Sequence, residues 1–231
     1  MSIVKPIVVA VDGPAGSGKS TICAAVCKEM GWSYVNTGAL YRAVGIIAQE
    51  RRVDLNNEKA VASMLEQIAP DMRWDHGKGQ LWLGDTDLTP QLGTVQAGNA
   101  ASFVAKQQLV RKLLLPLQRQ LTLMAQKGAL VDGRDIGTVV FPDADLKIFM
   151  TASLEERAKR RLNQIGGKKG DLPVTLEDIM RDIENRDLQD SARGEAPLKK
   201  ADDAIEFDTS GLNLNEAVKA LSALVRSKVG T

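Results

Sequence analysis

The chain opens on an uninterrupted apolar run, Ile7-Val8-Val9-Ala10-Val11, the pattern of a strand covered on both faces. Apolar positions then change to helical spacing: Ile22, Ala25, Val26 and Met30 predict a helix over 21–30, stopped by Gly31. Ser33-Tyr34-Val35 reads as a second strand, and Thr37 as the cap of a helix to about 51 with Leu40, Val44, Ile47 and Ala48 inward. A helix over 58–69 is stopped by Pro70. The period then drops to two: Met72, Trp74, Leu81 and Leu83 alternate with polar residues around Gly77 and Gly79, which predicts a β-hairpin continuing through 86–88. Helices follow over 94–105 and 108–126, the second with Leu109, Leu113, Leu117, Leu121 and Met124 inward, a kink at Pro116 and an end at Gly128. Further strands read at 129–131, 146–150 and 204–208. Ser153 with Glu156, Thr175 with Asp178 and Asn213 with Glu216 mark three helix starts, the last helix running to about 228. Five apolar strands separated by helices predict an α/β protein with a five-stranded parallel sheet flanked by helices and right-handed crossovers. The hairpin reads as a small antiparallel insert.

Between the first strand and the first helix lies Gly13-Pro14-Ala15-Gly16-Ser17-Gly18-Lys19-Ser20, which fits G-x-x-x-x-G-K-[ST] in the strand–loop–helix context that pattern needs. Glycines let successive backbone N–H groups curl around an anion, and the helix N-terminus adds a favourable dipole. Lys19 can reach β- and γ-phosphates and the Ser20 hydroxyl can ligate Mg²⁺. The alternative for the loop, a glycine-rich surface turn, does not explain why strand, loop and helix follow in that order. The loop implies a bound nucleoside triphosphate and leaves the phosphate acceptor open.

Composition narrows the partners. The 231 residues are 44% hydrophobic and 26% charged with a net charge of +1, ordinary for a globular protein. Bulk charge gives no reason to expect nucleic acid or a membrane surface. No apolar run approaches the roughly 18–20 residues of a membrane span, and the N-terminus leads straight into the first strand without a signal peptide, so a cytoplasmic location is expected. No large apolar surface stripe demands a partner, so a monomer is expected. Cys23 and Cys27 fall four apart on one helix with nothing to complete a zinc site, and read as small reduced core residues. The single histidine, His76, reads as a solvated loop residue without a catalytic role.

Two stretches carry further candidate chemistry. Asp132-Gly133-Arg134-Asp135 follows a short buried strand, where open α/β sheets place ligands; a strand-end salt bridge is the alternative. Arg157, Lys159, Arg160, Arg161, Lys168 and Lys169 form an acid-free cationic run broken by Gly166-Gly167, which reads as a solvated face or as a flap over a triphosphate. Arg186, Asp190 and Arg193, four and three apart, can share one helix face. A GTPase would carry Asn-Lys-x-Asp, and the chain has none. Arginines at 42, 111, 134, 157, 160, 161, 186 and 193 suit a small-molecule kinase, because guanidinium forks bind phosphate bidentately. A P-loop hydrolase or nucleotide-dependent binding module, and a kinase for another acceptor, stay open on the residues alone.

Four segments together, the P-loop, Asn-Thr-Gly-Ala-Leu-Tyr-Arg from Asn36, Asp-Gly-Arg-Asp-Ile-Gly-Thr-Val-Val-Phe-Pro-Asp-Ala from Asp132 and Arg-Asp-x-x-Asp-Ser-x-Arg-x-x-x-Pro-Leu from Arg186, resemble bacterial cytidylate kinases over nearly the whole chain and in the right order. Asn36 departs from the family, which often has Asp there. The resemblance implies γ-phosphoryl transfer from ATP to CMP or dCMP, with Mg²⁺, in a core of 1–36, 108–156 and 175–231, a monophosphate-binding insert at 37–107 and a short helical lid at 157–174. It implies that residues 13–20 and Thr21 bind ATP, that Lys19, Arg157, Arg160 and Arg161 neutralise the donor, and that Ser20 holds the metal. On the acceptor side it implies Ser102, Arg111 and Asp135 facing cytosine, Arg186 and Asp190 at the sugar, Arg42, Arg134 and Arg193 on the phosphate, and Thr37 and Tyr41 in the same pocket. Lys19, Arg134, Arg157, Arg160, Arg161 and Arg193 would be the catalytic set.

Overall fold

The computed structural model describes residues 5–166, 168–169 and 172–230. In chain order the elements are β1 (Ile7–Asp12), α1 (Lys19–Met30), β2 (Ser33–Asn36), α2 (Thr37–Glu50), α3 (Glu58–Ile68), β3 (Met72–Asp75), β4 (Gln80–Leu83), β5 (Thr86–Asp87), α4 (Thr89–Leu92), α5 (Val95–Val104) and α6 (Gln108–Leu123). They continue with β6 (Gly128–Asp132), β7 (Leu146–Thr151), α7 (Leu154–Gln164), β8 (Lys168–Lys169), β9 (Leu172–Pro173), α8 (Leu176–Ser191), β10 (Ile205–Asp208) and α9 (Leu214–Val229). The main sheet has the order β10–β7–β1–β6–β2. Its β1–β7 and β10–β7 pairs are parallel, with Val9 opposite Leu146 and Ile205 opposite Ile148. The expected five-stranded parallel sheet flanked by helices is therefore present, and the five strands are those the apolar runs predict.

The chain forms two compact units, residues 8–30 with 132–230 and residues 5–7 with 31–131. In the first, Val8, Val9, Ala10 and Val11 of β1 are all but fully buried, which is why that strand reads as a continuous apolar run. The buried stripe of α1 is Lys19, Ile22, Cys23, Val26 and Cys27, one face at i, i+3, i+4, i+7 and i+8. Cys23 and Cys27 are buried in that stripe outside any disulfide, and burial pushes the Cys23 thiol up. Glu29 at the end of α1 accepts hydrogen bonds from Ser222 and Arg226 of α9, both at 3.1 Å. The Thr175–Asp178 and Asn213–Glu216 capping boxes form in full. The Ser153–Glu156 box forms in half: Ser153 Oγ accepts from the Glu156 N–H, while the Ser153 N–H donates to Ser210 Oγ at 2.8 Å, so the reciprocal bond has no donor left.

In the second unit the three-stranded antiparallel sheet β3–β4–β5 pairs Met72 with Leu83 and Trp74 with Leu81. Met72, Trp74 and Leu81 are buried on one face, and Arg73 lies over the Trp82 ring at 4.5 Å on the other, the alternation the sequence predicts. Helices α2 and α5 pack at close range because both sides are small: a Cβ on Gly45 would fall 2.6 Å from the Ala100 methyl.

Several expectations change. Thr37 is the first residue of α2 rather than its cap; Asn36 occupies the cap, without a side-chain bond. Helix α6 ends at Leu123 rather than 126, with Pro116 inside it. Its buried apolar stripe is Val110, Leu114, Leu117 and Leu121, while Leu109 and Met124 are exposed. A repeat of four overshoots each helical turn by about 40° and drifts off the face, whereas steps of four, three and four stay on it. His76 is half-buried in the turn between β3 and β4, and that burial pushes its pKa below the usual value. The one-turn helix α4 carries no sequence expectation; Pro90 stands in its first turn, where proline is tolerated. The antiparallel pair β8–β9 was not foreseen either.

Candidate active site

Between β1 and α1 the chain curls with φ of +150° at Gly13, +78° at Gly16 and +91° at Gly18. A Cβ on Gly13 would lie 2.0 Å from the Met150 carbonyl oxygen, so only glycine fits there. Lys19 begins α1 on its buried stripe, and this placement turns its ammonium back into the loop. It donates to the carbonyls of Gly13 and Pro14, both at 2.8 Å, and to Ser17 Oγ at 3.2 Å. Ser17 Oγ in turn donates to the Pro14 carbonyl at 3.1 Å. Ala15 and Ser17 are buried, and Ser20 and Thr21 are exposed in the first turn of α1. Ser20 Oγ donates to Asp132 Oδ2 at 2.6 Å.

Burial, then the neighbouring Arg134, lowers the Lys19 pKa to about 7, while Asp132, Cys23 and Asp12 oppose the shift. The loop thus gives up this proton as the pH rises through about 7, and an anion placed in the loop would draw it back. Nucleotide binding at pH 8 is expected to take up protons, approaching one per site, with uptake smaller at pH 6, where Lys19 is already charged. Calorimetric titration in buffers of different ionisation enthalpy reads the uptake, and a heat independent of buffer at pH 8 would contradict it.

The carboxylates around the loop have separate tasks. Asp12, at the end of β1, accepts the Ile136 and Gly137 N–H groups, both at 2.7 Å. It thereby fixes the turn that follows Asp135. Burial raises the Asp12 pKa to about 6, with the two backbone donors acting in the opposite direction. Asp135 is itself buried. Asp190, on α8, accepts Arg134 Nε at 2.8 Å and also binds the Arg193 guanidinium. The predicted Asp190–Arg193 pair thus forms, though Arg193 lies just beyond the last turn of α8, and Arg134 joins it. Arg186 is half-buried one turn before Asp190.

Arg157 and Arg160 project from α7 toward the P-loop. Arg157 donates to the Ala152 and Ala15 carbonyls at 3.1 and 3.0 Å and forms an ion pair with Asp187. Arg160 donates to Thr209 Oγ1 at 2.9 Å, to the Thr209 carbonyl at 2.7 Å and to the Ser17 carbonyl at 3.4 Å. Arg161 turns instead to Gln164 of its own helix, at 2.9 Å. Within the expected lid, the side chains of Lys168 and Lys169 and positions 167, 170 and 171 lie outside the described residues.

The remaining candidates belong to the other unit. The Arg111 guanidinium lies 5.6 Å from the centre of the Tyr41 ring and donates to the Ala105 carbonyl at 3.3 Å. Arg42 donates to the Leu92 carbonyl at 3.1 Å, and Ser102 Oγ to the Gly98 carbonyl at 3.1 Å. Thr37 is buried in the first turn of α2.

Sequence reasoning missed three contributors: Asp12, Asp187 and Thr209. Asp12 directly precedes the P-loop glycine, and Asp187 sits inside the segment from Arg186 to Arg193, so position was the only available signal. Asp132 reads in sequence as part of a candidate loop, and its pairing with Ser20 has no local signal.

A P-loop with its lysine turned into the loop, a serine–aspartate oxygen pair at the helix N-terminus and arginines converging from α7 define a nucleotide-dependent phosphotransferase. Among the described residues no helix is long and apolar enough to cross a membrane. The family model for cytidylate kinase matches residues 9–227, and the chain belongs to that family. Similar proteins include the cytidylate kinases of Fusobacterium nucleatum, 40% identical over 94% of this chain and 95% of the relative, and of Thermotoga neapolitana, 42% identical over 96% and 97%. That of Bacillus licheniformis is 42% identical over 97% of this chain and 98% of its own.

Proposed function

We infer that the protein is an ATP-dependent kinase that transfers the γ-phosphoryl group of ATP to CMP or dCMP, giving ADP and CDP or dCDP. The observation that carries the reading is the P-loop, with Lys19 and the Ser20–Asp132 pair in place, in a chain of the cytidylate kinase family. The protein works as a cytoplasmic monomer in pyrimidine nucleotide metabolism.

Residues 13–21 bind the donor. Backbone N–H groups of the loop and the N-terminus of α1 face its phosphates, and Lys19 supplies charge. Ser20 Oγ and the Asp132 carboxylate are hard oxygen ligands 2.6 Å apart. Mg²⁺ fits such a pair, because it is commonly held by one or two protein oxygens with substrate phosphates completing the shell. When bound, it neutralises charge developing on the β- and γ-oxygens. Arg134 and Arg193, held by Asp190, with Arg42, bind the acceptor phosphate; Arg186 and Asp190 serve the sugar; Thr37 and Tyr41 line the acceptor pocket. Asp135, with Ser102 and Arg111, reads cytosine. The exocyclic amine of cytosine donates to an aspartate, whereas uracil would set a carbonyl against it. The acceptor phosphate has a second pKa of about 6 and is largely a dianion at pH 7, so attack needs no general base. Residues 37–107 form the acceptor-binding insert and residues 157–174 the lid, where Arg161 contributes donor-side charge.

ADP release from Mg·ATP, measured with CMP, dCMP, UMP, AMP, GMP and no acceptor, tests the function. CMP and dCMP are expected to give strong turnover and UMP weak turnover; ADP no higher with any monophosphate than in the blank would overturn the reading. Asp135→Ala is expected to raise KM for CMP about tenfold or more with ATP affinity little changed. Equal losses for both substrates would remove Asp135 from base recognition.

A further inference from the structure

The backbone of a P-loop can point its N–H groups at an anion only if its carbonyls point away from it, and those outward carbonyls need partners. In this chain the partners of four of them are identifiable. Lys19 takes the carbonyls of Gly13 and Pro14, Arg157 that of Ala15, and Arg160 with Thr209 Oγ1 that of Ser17. Ala15 is also held at its N–H, which donates to Asp187 Oδ1 at 3.0 Å. Asp187 and Arg157 are paired with each other, so N–H, carboxylate, guanidinium and carbonyl close a ring around the backbone of one residue. Gly16, the next residue, lies against α7: a Cβ there would be 3.1 Å from Arg157 Cβ. The Arg157 guanidinium is therefore engaged on three oxygens, from Ala152, Ala15 and Asp187, before any nucleotide arrives.

We propose that Asp187 and Arg157 form a clamp on the two peptides flanking Ala15 that sets the P-loop for its triphosphate, with Arg160 and Thr209 holding the Ser17 carbonyl. Arg157, Arg160 and Asp187 are positioning residues of the donor site. This replaces the role of direct phosphate ligand for Arg157 and Arg160, and gives Asp187, an acid beside an anion site, a reason to be there. A buried guanidinium paired with a carboxylate contributes geometry rather than net charge to the loop. The proposal rests on residues 13–21 being the donor site.

The test is a double-mutant cycle on nucleotide affinity, using wild type, Asp187→Ala, Arg157→Ala and the double variant, titrated with Mg·ATP and Mg·ADP and monitored for folding by thermal melting. Each single variant is expected to weaken ATP and ADP by the same factor, on the order of ten- to a hundredfold, and the double variant to be no worse than the weaker single one. A clamp loses everything when either jaw goes, and it does not distinguish the nucleotides. If Arg157→Ala weakened ATP far more than ADP while Asp187→Ala was neutral, Arg157 would be a ligand of the terminal phosphate and the proposal would fall. Additive losses would overturn it too. Should Asp187→Ala not fold, Asp187→Asn keeps the shape and an acceptor for the Ala15 N–H but removes the ion pair. Loss of affinity in Asp187→Asn for both nucleotides alike supports the clamp, and wild-type affinity overturns it. Lys19→Ala serves as the reference: if it too left nucleotide affinity unchanged, the donor-site reading itself would be at fault rather than the clamp.

Discussion

Lys19→Ala is expected to lower kcat by about three orders of magnitude in a protein that still folds, the range seen when a single preorganised charge is removed from a phosphoryl- or acyl-transfer site. The structure gives two reasons for an effect this large. Lys19 is the one cation inside the loop itself, and its ammonium uses all three donors there, on Gly13, Pro14 and Ser17. On the proposed donor-site reading its loss removes charge at the transferring group, and it also releases the two carbonyls that Lys19 holds. Stability should change little, because the desolvation cost of a lysine only 5% exposed disappears along with its hydrogen bonds. Single-turnover measurement with Mg·ATP and CMP separates the chemical step from product release, and circular dichroism reports the fold. A rate within tenfold of wild type would remove Lys19 from the catalytic set.

Asp190→Ala is expected to give the largest stability loss of any single change in the site. Asp190 is 4% exposed and holds two guanidiniums, Arg134 at 2.8 Å and Arg193. Removing the acid leaves two like charges facing each other, with side chains only 19% and 13% exposed. Breaking such a pair from one side costs about 3 kcal/mol, near the lower end for buried pairs because both arginines keep some contact with water. For a chain of this size that is a fall in Tm of about 6–12 °C. Activity should fall as well, because Asp190 orients two of the three arginines proposed for the acceptor phosphate. Asp190→Asn keeps one acceptor and is expected to lose less in both respects. Scanning calorimetry settles the stability; a drop below about 2 °C would mean that the arginines find other partners.

Much of this architecture was legible because its signals are local. The apolar run of β1, the glycine spacing of the P-loop, the capping pairs Thr175–Asp178 and Asn213–Glu216 and the alternation of Met72, Trp74 and Leu81 each act over a few residues. A chain segment expresses them wherever it ends up. The misreadings are equally specific. Leu109 and Met124 looked like core because a leucine every four residues imitates a stripe, and only packing revealed that Val110 and Leu114 face inward. Ser153 looked like half of a full capping box until Ser210, 57 residues on, took its N–H.

The site divides along the same line. Sequence alone determined that a phosphate-binding loop stands between the first strand and first helix, that acids and arginines follow the strand ending at Asp132, and that α7 is strongly basic. It could not determine what those charges do. Asp132 meets Ser20 across 112 residues, Asp12 meets Ile136 across 124, Arg157 meets Ala15 across 142 and Asp187 meets Ala15 across 172. No local pattern encodes such pairings, because they arise only when parallel strands bring their ends together and the loops beyond them share one space. Three neighbouring arginines look alike in sequence, yet the fold gives Arg157 to Ala15 and Asp187, Arg160 to Ser17 and Thr209, and Arg161 to Gln164. At three and four residues apart, Arg160 and Arg161 share the face of Arg157 one turn along the helix, so the spacing does not separate them and only the surrounding structure decides what each guanidinium meets.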